Sequence, residues 1–190
     1  MRLISAVFLA LSLVACATDQ PAKSTASLGH DAQFHIPAWA PPERPIEALQ
    51  RITSRFQDDT LFMQAQISVN EHRLLMVGLD PLGNRLFTIV WNADGITLSR
   101  QGWLPESVDP TIIVASIVFC YWPSHVIRSA INGQSLDLDE GPEQRRLIRG
   151  GETVLQVSYE TDRRHAWNER IDLLNVSFGF RLTIDSREIE

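Results

Sequence analysis

The spacing of apolar residues predicts short strands over most of the chain. In residues 61–69 every second side chain is apolar, with Ala65, Ile67 and Val69 on one side and Gln64 and Gln66 on the other. This is the period of a strand with one buried face. Turn-forming residues separate the apolar runs that follow, which indicates an antiparallel meander. Its strands are predicted at residues 61–69, 72–79, 86–91 and 96–100.

A helical pattern precedes the meander. In residues 45–56 the side chains of Ile46, Leu49, Ile52 and Phe56 fall on one side of a helix, and Pro45 suits its first turn. We therefore predict a short amphipathic helix here.

A second helical segment interrupts the meander. Asp109-Pro110 is a helix-start signal before a strongly apolar segment at 112–121. Trp122-Pro123 breaks this helix, and a second short helix is predicted at 126–131 before Asn132-Gly133.

The elements together predict an α+β fold. After the helices, strands are predicted at 134–138, 144–149, 153–160, 167–176 and 180–186. Strongly twisted sheets rarely stay open beyond about ten strands, so a sheet of this length is expected to curl. The apolar helices must bury themselves against one face. The predicted architecture is a single curved antiparallel sheet, a half-barrel, with short helices covering its concave face and enclosing an apolar cavity.

The N-terminus has the features of a bacterial export signal. Arg2 precedes an apolar run at 4–14 that is too short to span a bilayer, and the run ends in Leu13-Val14-Ala15-Cys16. These four residues form a lipobox, which predicts a signal peptide at 1–15 and lipidation of Cys16. Ordinary cleavage at the small residues Ala15 and Ala17, giving a soluble periplasmic protein, is the alternative, as is a short anchor helix. Ala17, rather than an aspartate, favours a lipid-anchored position on the periplasmic side of the outer membrane.

The remaining chain divides into two parts. Residues 16–44 are predicted to be the lipidated cysteine and a flexible tether, because their prolines oppose long regular structure. Residues 45–190 are predicted to form one globular domain.

Composition limits the possible partners and chemistry. The formal net charge is −6 and no Lys/Arg stripe occurs, so we expect no nucleic-acid partner. With Cys16 lipidated, Cys120 has no disulfide partner and is expected to be a buried, inert thiol.

The sequence lacks the common catalytic motifs. There is no G-x-S-x-G, H-E-x-x-H or P-loop, and the five histidines are dispersed. Ser124 beside His125 is better explained as a helix cap than as a nucleophile and its base. We therefore expect no catalytic residue, no metal and no cofactor, and hence no enzyme; a hydrolase built on Ser124 is the weakest alternative.

Two turns carry a resemblance to known proteins. The order strand, Asp80-Pro81-Leu82-Gly83, strand, Asn92-Ala93-Asp94-Gly95, strand resembles the lipoprotein-localisation family of LolA and LolB, and especially LolB. Trp122-Pro123 resembles more closely a family of lipoproteins associated with aryl-polyene gene clusters. The resemblance implies that Leu82 is an exposed leucine that contacts the membrane. The stretch from Tyr121 to Gly133 resembles the helical lid of LolB-like proteins, in which Arg128 is the candidate for the lid arginine.

These observations lead to two functional hypotheses. In the first, the protein binds or transfers a hydrophobic cargo, such as the acyl chains of lipoproteins or an aryl-polyene-type lipid, in the apolar cavity. Its partners would be the membrane, through palmitate-like acyl groups on Cys16, the cargo itself and a periplasmic carrier protein. In the second, it is a non-enzymatic accessory subunit of an outer-membrane assembly without lipid cargo. The ligand-binding residues predicted for the first are Ile112, Ile113, Ile117, Val118, Trp122, Val126 and Trp91.

Overall fold

A computed structural model describes residues 20–22, 24–29, 31–101 and 109–189. The predicted signal peptide at 1–15 and the predicted lipidation site Cys16 lie outside the described residues. No helix in the described ranges is long and apolar enough to cross a membrane.

The described residues form thirteen strands, two α-helices and a 3-10 helix at Arg163–Asn168. The helices are α1, Pro110–Tyr121, and α2, Ser124–Ala130. The strands are β1 Gln20–Ala22, β2 Thr25–Gly29, β3 Ala32–His35, β4 Ile46–Phe56, β5 Asp59–Val69, β6 Arg73–Leu79, β7 Arg85–Asn92, β8 Gly95–Arg100, β9 Asp137–Glu140, β10 Gln144–Arg149, β11 Glu152–Tyr159, β12 Arg170–Asn175 and β13 Phe180–Glu188.

Eleven strands make one antiparallel sheet. Their order is β1-β8-β7-β6-β5-β4-β13-β12-β11-β10-β9, while β2 and β3 form a separate hairpin. The meander before the helices and the meander after them are joined where β4 pairs with β13, from Ala48↔Glu188 to Phe56↔Phe180. The predicted strand order around a helical insert, and the predicted α+β class with one curved sheet, are confirmed.

One face of the sheet, here called the inner face, is buried. On β5, Ala65, Ile67 and Val69 are buried, whereas Gln64 and Gln66 on the outer face are exposed. Leu61 shares the inner face but is exposed, because β6 pairs with β5 only from Gln64 onward. The strand pattern is therefore set by apolar burial where neighbouring elements cover the sheet.

The two helices cover the inner face. Asp109 caps α1 by accepting a hydrogen bond from the Thr111 amide (2.8 Å), and Pro110 occupies the first turn. The rest of α1 is apolar on nearly every side, which is typical of a helix buried all round. Trp122-Pro123 ends α1, and α2 begins at Ser124, two residues before the predicted start.

The prediction of a helix at 45–56 is wrong. These residues form β4, where Ile46, Ala48, Gln50 and Ile52 alternate inward and Leu49 points to solvent. Gln50 is polar yet buried, because its side-chain amide donates to Tyr121 Oη (2.8 Å) and Ser186 Oγ (2.9 Å). Because Gln50 is polar, the apolar residues of this segment do not alternate along the sequence as they do in a typical strand.

The predicted tether at 16–44 is also wrong, because residues 25–35 form a packed hairpin. The β2–β3 hairpin packs against α1, α2 and β11, and Ala26, Leu28, Ala32 and Phe34 are buried. The side-chain amide of Asn175 also donates to the Leu28 carbonyl (3.4 Å). The globular unit therefore begins before residue 45.

The sheet has two ends that matter for function. At one end, here called the tip end, lie the turns at 57–58, 80–84, 150–151 and 176–179. At the other, the opposite end, lie the turns at 70–72, 93–94 and 141–143. Both sets follow directly from the antiparallel order of the strands.

Candidate functional site

The predicted ligand-binding residues meet on the inner face, but most are packed. Ile117, Val118, Trp122 and Val126 are buried beneath the sheet, as is Trp91 of β7. The remaining two, Ile112 and Ile113 in the first turns of α1, are half-buried against the core. All seven residues therefore belong to the packing between the helices and the inner face of the sheet.

Three tryptophans fix the joint between the two helices. Trp122 lies 5.4 Å from Trp91 and 6.4 Å from Trp39 between ring centroids, and Trp39 lies 4.9 Å from Trp91 edge to face. The indole of Trp122 donates to the Ala40 carbonyl, and that of Trp39 to the Glu71 carbonyl, both at 2.8 Å. Because Glu71 belongs to the turn at 70–72, this cluster lies at the opposite end of the sheet.

A buried arginine holds the end of α1. Arg145 of β10 is almost fully buried, and its Nη1 donates to the carbonyls of Phe119 (3.0 Å) and Trp122 (2.7 Å). Carbonyls in the last turn of a helix have no partner within the helix, so this guanidinium satisfies two of them. Its Nε lies 3.3 Å from Glu140 Oε2.

Glu140 is the anionic centre of the same cluster. Its Oε2 accepts from Ser124 Oγ (2.8 Å) and Arg163 Nη1 (2.6 Å), and its Oε1 lies 3.3 Å from Arg128. Burial alone would raise the pKa of Glu140, but the Ser124 hydrogen bond and the charges of Arg145 and Arg163 lower it overall. Glu140 is therefore a carboxylate that ties the start of α2 to β9.

Two tyrosines complete the attachment of α1. Tyr159 Oη donates to the Cys120 carbonyl (2.7 Å), and Tyr121 stacks on Trp167 with ring centroids 3.9 Å apart. Burial raises the pKa of both tyrosines, so they stay neutral and act as hydrogen-bonding groups. Burial also raises the pKa of Cys120 to about 12, which agrees with the inert thiol expected from the sequence.

The first half of α1 has no comparable attachment. Among the described residues, its polar side-chain bonds stay within the helix and its cap: Thr111 to Asp109, and Ser116 Oγ to the Ile112 carbonyl (2.8 Å). Among the described residues, apolar packing holds residues 110–117 against their surroundings. Within this part of the chain, the helix is thus fixed by hydrogen bonds at its C-terminal end and held by apolar packing at its N-terminal end.

Leu82 projects from a rigid turn. Asp80 Oδ1 accepts from the backbone amides of Leu82 and Asn84 (both 2.8 Å), and Gly83 has φ +85°. These hydrogen bonds, the Asn84 side chain first, lower the pKa of Asp80. The side chain of Leu82 is 87% exposed. The exposure expected for it is therefore observed, while its membrane contact stays a prediction.

An open groove of about 370 Å³ lies away from the predicted site. It runs along β4 and β5 near the turn at 80–84, and its walls mix apolar and charged groups. The residues that line it are Arg51, Ile52, Thr53, Phe62, Met63, Gln64, Pro81 and Asp185. The sequence did not predict this groove, because the groove forms where β5 extends beyond the end of β6.

The described residues contain no cluster of His, Cys, Asp or Glu with a geometry that could hold a metal ion. Ser124 and His125 do not form a pair: Ser124 Oγ donates to Glu140, and His125 is exposed. Ser124 also makes no capping hydrogen bond with its side chain, so the cap predicted for it is wrong.

Comparisons with known proteins give a matching family and a number of similar solved structures. The model of a family described as a protein of unknown function, DUF3261, matches residues 47–188, so the chain belongs to that family. The sequence matches none of the curated proteins with which it was compared. Among solved structures, a LolA superfamily protein from Nitrosomonas europaea superposes with a TM-score of 0.43 and 10% identity, covering 77% of this chain and 85% of that one.

Proposed function

We propose that this DUF3261 protein is an outer-membrane lipoprotein that binds a hydrophobic, acyl-like ligand between α1 and the inner face of its sheet. The observation that carries this proposal is the uneven attachment of α1. Its C-terminal end receives hydrogen bonds from Arg145, Tyr159 and Gln50, whereas its N-terminal half is held by apolar packing against the residues that the structure describes.

Such a helix can act as a lid. Apolar packing is non-directional, so an acyl chain can replace part of the contact between the helix and the sheet without leaving a polar group unpaired. Breaking the hydrogen bonds at the C-terminal end of α1 and the start of α2 would instead leave the buried guanidinium of Arg145 and the carboxylate of Glu140 without these partners. The ligand is therefore expected to enter beside the half-buried Ile112 and Ile113, and α1 to pivot about residues 119–122.

The cellular setting belongs to the same proposal. Cys16 in its lipobox is the attachment point, carrying palmitate-like acyl chains that hold the protein at the periplasmic face of the outer membrane. The cargo is a lipoprotein acyl chain or an aryl-polyene-type lipid, received from a periplasmic carrier protein. Leu82, on its rigid turn, contacts the membrane.

A substitution at the lid tests ligand binding. The full chain, purified in mild detergent, is expected to bind a fluorescent fatty acid and to carry lipid masses in native mass spectrometry. Ile112→Gln and Ile113→Gln place an unpaired amide against the ligand, and we expect about tenfold weaker binding. Leu49→Gln, at an exposed outer-face position, is the matched control. Substitutions at the fully buried Val118 are avoided because they would disturb folding itself.

A second function is favoured by the dense packing of the inner face. Ile117, Val118, Trp122 and Trp91 are all buried by other parts of the chain, as expected for an accessory subunit whose interior is closed. The carrier function would be contradicted by three results together: a native mass without bound lipid, no uptake of the fluorescent fatty acid, and no effect of either isoleucine substitution. Recovery of a defined outer-membrane protein with the full chain would then support the accessory function.

A further inference from the structure

The most exposed large apolar side chains are concentrated at one end of the molecule. Eight large apolar residues are exposed in the described part of the chain, and six of them lie at the tip end. These six are Phe56, Leu61, Phe62, Leu82, Val176 and Phe178. Scattered exposed apolar residues need no explanation, but a concentration at one end indicates a contact surface.

The β4–β5 hairpin forms the centre of this surface. Phe56 and Leu61 lie on the inner face, and Phe62 lies on the outer face. The side chains of Leu61 and Phe62 are each 58% exposed. The hairpin therefore carries uncovered apolar groups on both faces. Residues 59–63 of β5 lie beyond the end of β6, and the turn at 176–179 lies beside the hairpin because Phe56 pairs with Phe180.

The first described residue of the chain lies toward the same end. β1 pairs with β8 so that Ala22 is opposite Ile96 and Gln20 is opposite Leu98. Since β8 runs toward the tip end, Gln20 is the residue of β1 that lies nearest to that end. Four peptide links separate Gln20 from Cys16, and they can span at most about 14 Å.

The charges on the described strand ends and turns of this end are balanced. The arginines of its strand ends and turns are Arg55, Arg85, Arg100, Arg149 and Arg181. The carboxylates there are Asp58, Asp59, Asp80, Asp137 and Glu152. These described groups sum to zero, although the whole chain has a formal net charge of −6. The tip end is therefore the face that an acidic protein can bring to a phospholipid surface with least repulsion.

We propose that the tip end, and above all the β4–β5 hairpin, docks on the bilayer that holds the lipid anchor. The inference rests on the lipidation of Cys16 in the proposed function. It adds an orientation: Phe56, Leu61 and Phe62 enter the apolar boundary of the membrane beside Leu82, and the opposite end points into the periplasm. Apolar burial drives the docking, because the charges on the described strand ends and turns of this end cancel.

The test places a polarity-sensitive label on the full lipidated chain in phosphatidylcholine vesicles. The label is attached to Leu61→Cys and, as the matched control, to Leu49→Cys, which is 42% exposed but lies in the half of β4 that is farther from the tip end. The buried Cys120 does not take the label. We expect a blue-shifted emission and quenching by brominated lipids at position 61, and neither at position 49. Raising salt should leave both signals unchanged.

A second set of variants measures the contribution of the aromatic groups. With the label on Leu82→Cys, the double substitution Phe56→Ser and Phe62→Ser should reduce quenching by roughly half or more, because most of the inserted apolar area is removed. Leu49→Ser should not change it. Equal signals at positions 61 and 49, or crosslinking of two chains through position 61 without quenching by lipid, would overturn the proposal.

The failure of the two proposals can be separated. The intact mass of the purified chain shows whether Cys16 carries lipid. A lipidated, vesicle-bound protein that binds fatty acid but leaves position 61 in water refutes only the orientation. A chain without lipid on Cys16 that stays off the vesicles refutes both the anchor and the docking that depends on it.

Discussion

Replacing the buried arginine that holds α1 should weaken the fold strongly. Arg145→Met keeps an unbranched apolar stem but removes both hydrogen bonds to the carbonyls of Phe119 and Trp122. It also removes one partner of Glu140. The two carbonyls are left without donors in a buried place, while Glu140 keeps Ser124 and Arg163.

The size of the effect follows from these contacts. A hydrogen bond from a charged donor contributes about 1.5–3 kcal/mol, and removing one partner of a buried ion pair costs about 3–5 kcal/mol. Both figures describe the same cluster, so they are not added. Because Glu140 keeps other partners, we expect a loss of about 3 kcal/mol in the free energy of unfolding. This is a large part of the roughly 5–15 kcal/mol typical of a domain.

Urea unfolding followed by tryptophan fluorescence measures this loss. With a slope of about 2 kcal/mol per molar urea, the midpoint should fall by about 1.5 M. Arg146→Met is the matched control, because Arg146 is the next residue, lies on the outer face and pairs with Asp139 at the surface. Surface pairs contribute about 0–1 kcal/mol, so its midpoint should change little. A shift below about 0.5 M for Arg145→Met would refute the view that Arg145 holds the helix.

Three further outcomes follow from single contacts. Gly78→Ala should destabilise by about 1–3 kcal/mol in thermal melts, because an added Cβ would lie 2.6 Å from the Phe87 ring, and Phe87→Leu should restore part of the loss. Folding lowers the pKa of Glu140, so its contribution to stability is present above the ordinary pKa of 4.5 and is lost as the pH falls through the folded value. The difference in unfolding free energy between the natural chain and Glu140→Gln should therefore shrink on acidification. A constant difference would contradict the role of Glu140 as a stabilising carboxylate. Cys120 should resist thiol reagents at neutral pH until urea unfolds the chain, since its pKa is raised to about 12 and it is buried; prompt labelling of the native protein would show that the helix opens widely without ligand.

The sequence predicted most of the sheet because simple burial governs those strands. β10 was predicted with its observed bounds, and β6, β7, β8, β11 and β13 within two residues, since each alternates or is apolar between clear turns. β4 failed for a local reason. Its inward residues include the polar Gln50, whose partners Tyr121 and Ser186 are distant in sequence, so no short window could show that Gln50 is buried.

The polar attachment of α1 was invisible for the same kind of reason. Gln144-Arg145-Arg146 is charged and polar, and nothing local indicates that the middle arginine points inward beneath two helix carbonyls. The β2–β3 hairpin was hidden by composition. Its inward residues include the small Ala26 and Ala32, so its apolar signal was weak among the surrounding Ser, Thr and Pro residues.

The proposed pivot of α1 at residues 119–122 and the proposed docking surface lie at different ends of the sheet. Their roles can therefore be tested separately. Trp122 and its tryptophan neighbours fix α1 at the opposite end, whereas Phe56 and Phe62 are at the tip end. If the protein moves a ligand between the bilayer and its inner face, serine at Phe56 and Phe62 should slow transfer into vesicles but leave binding of a soluble fatty acid unchanged. Ile113→Gln should instead weaken binding in both settings. Equal effects of both variants on soluble binding would mean that the tip residues form part of the ligand site, and that the surface at the tip end is not a separate membrane contact.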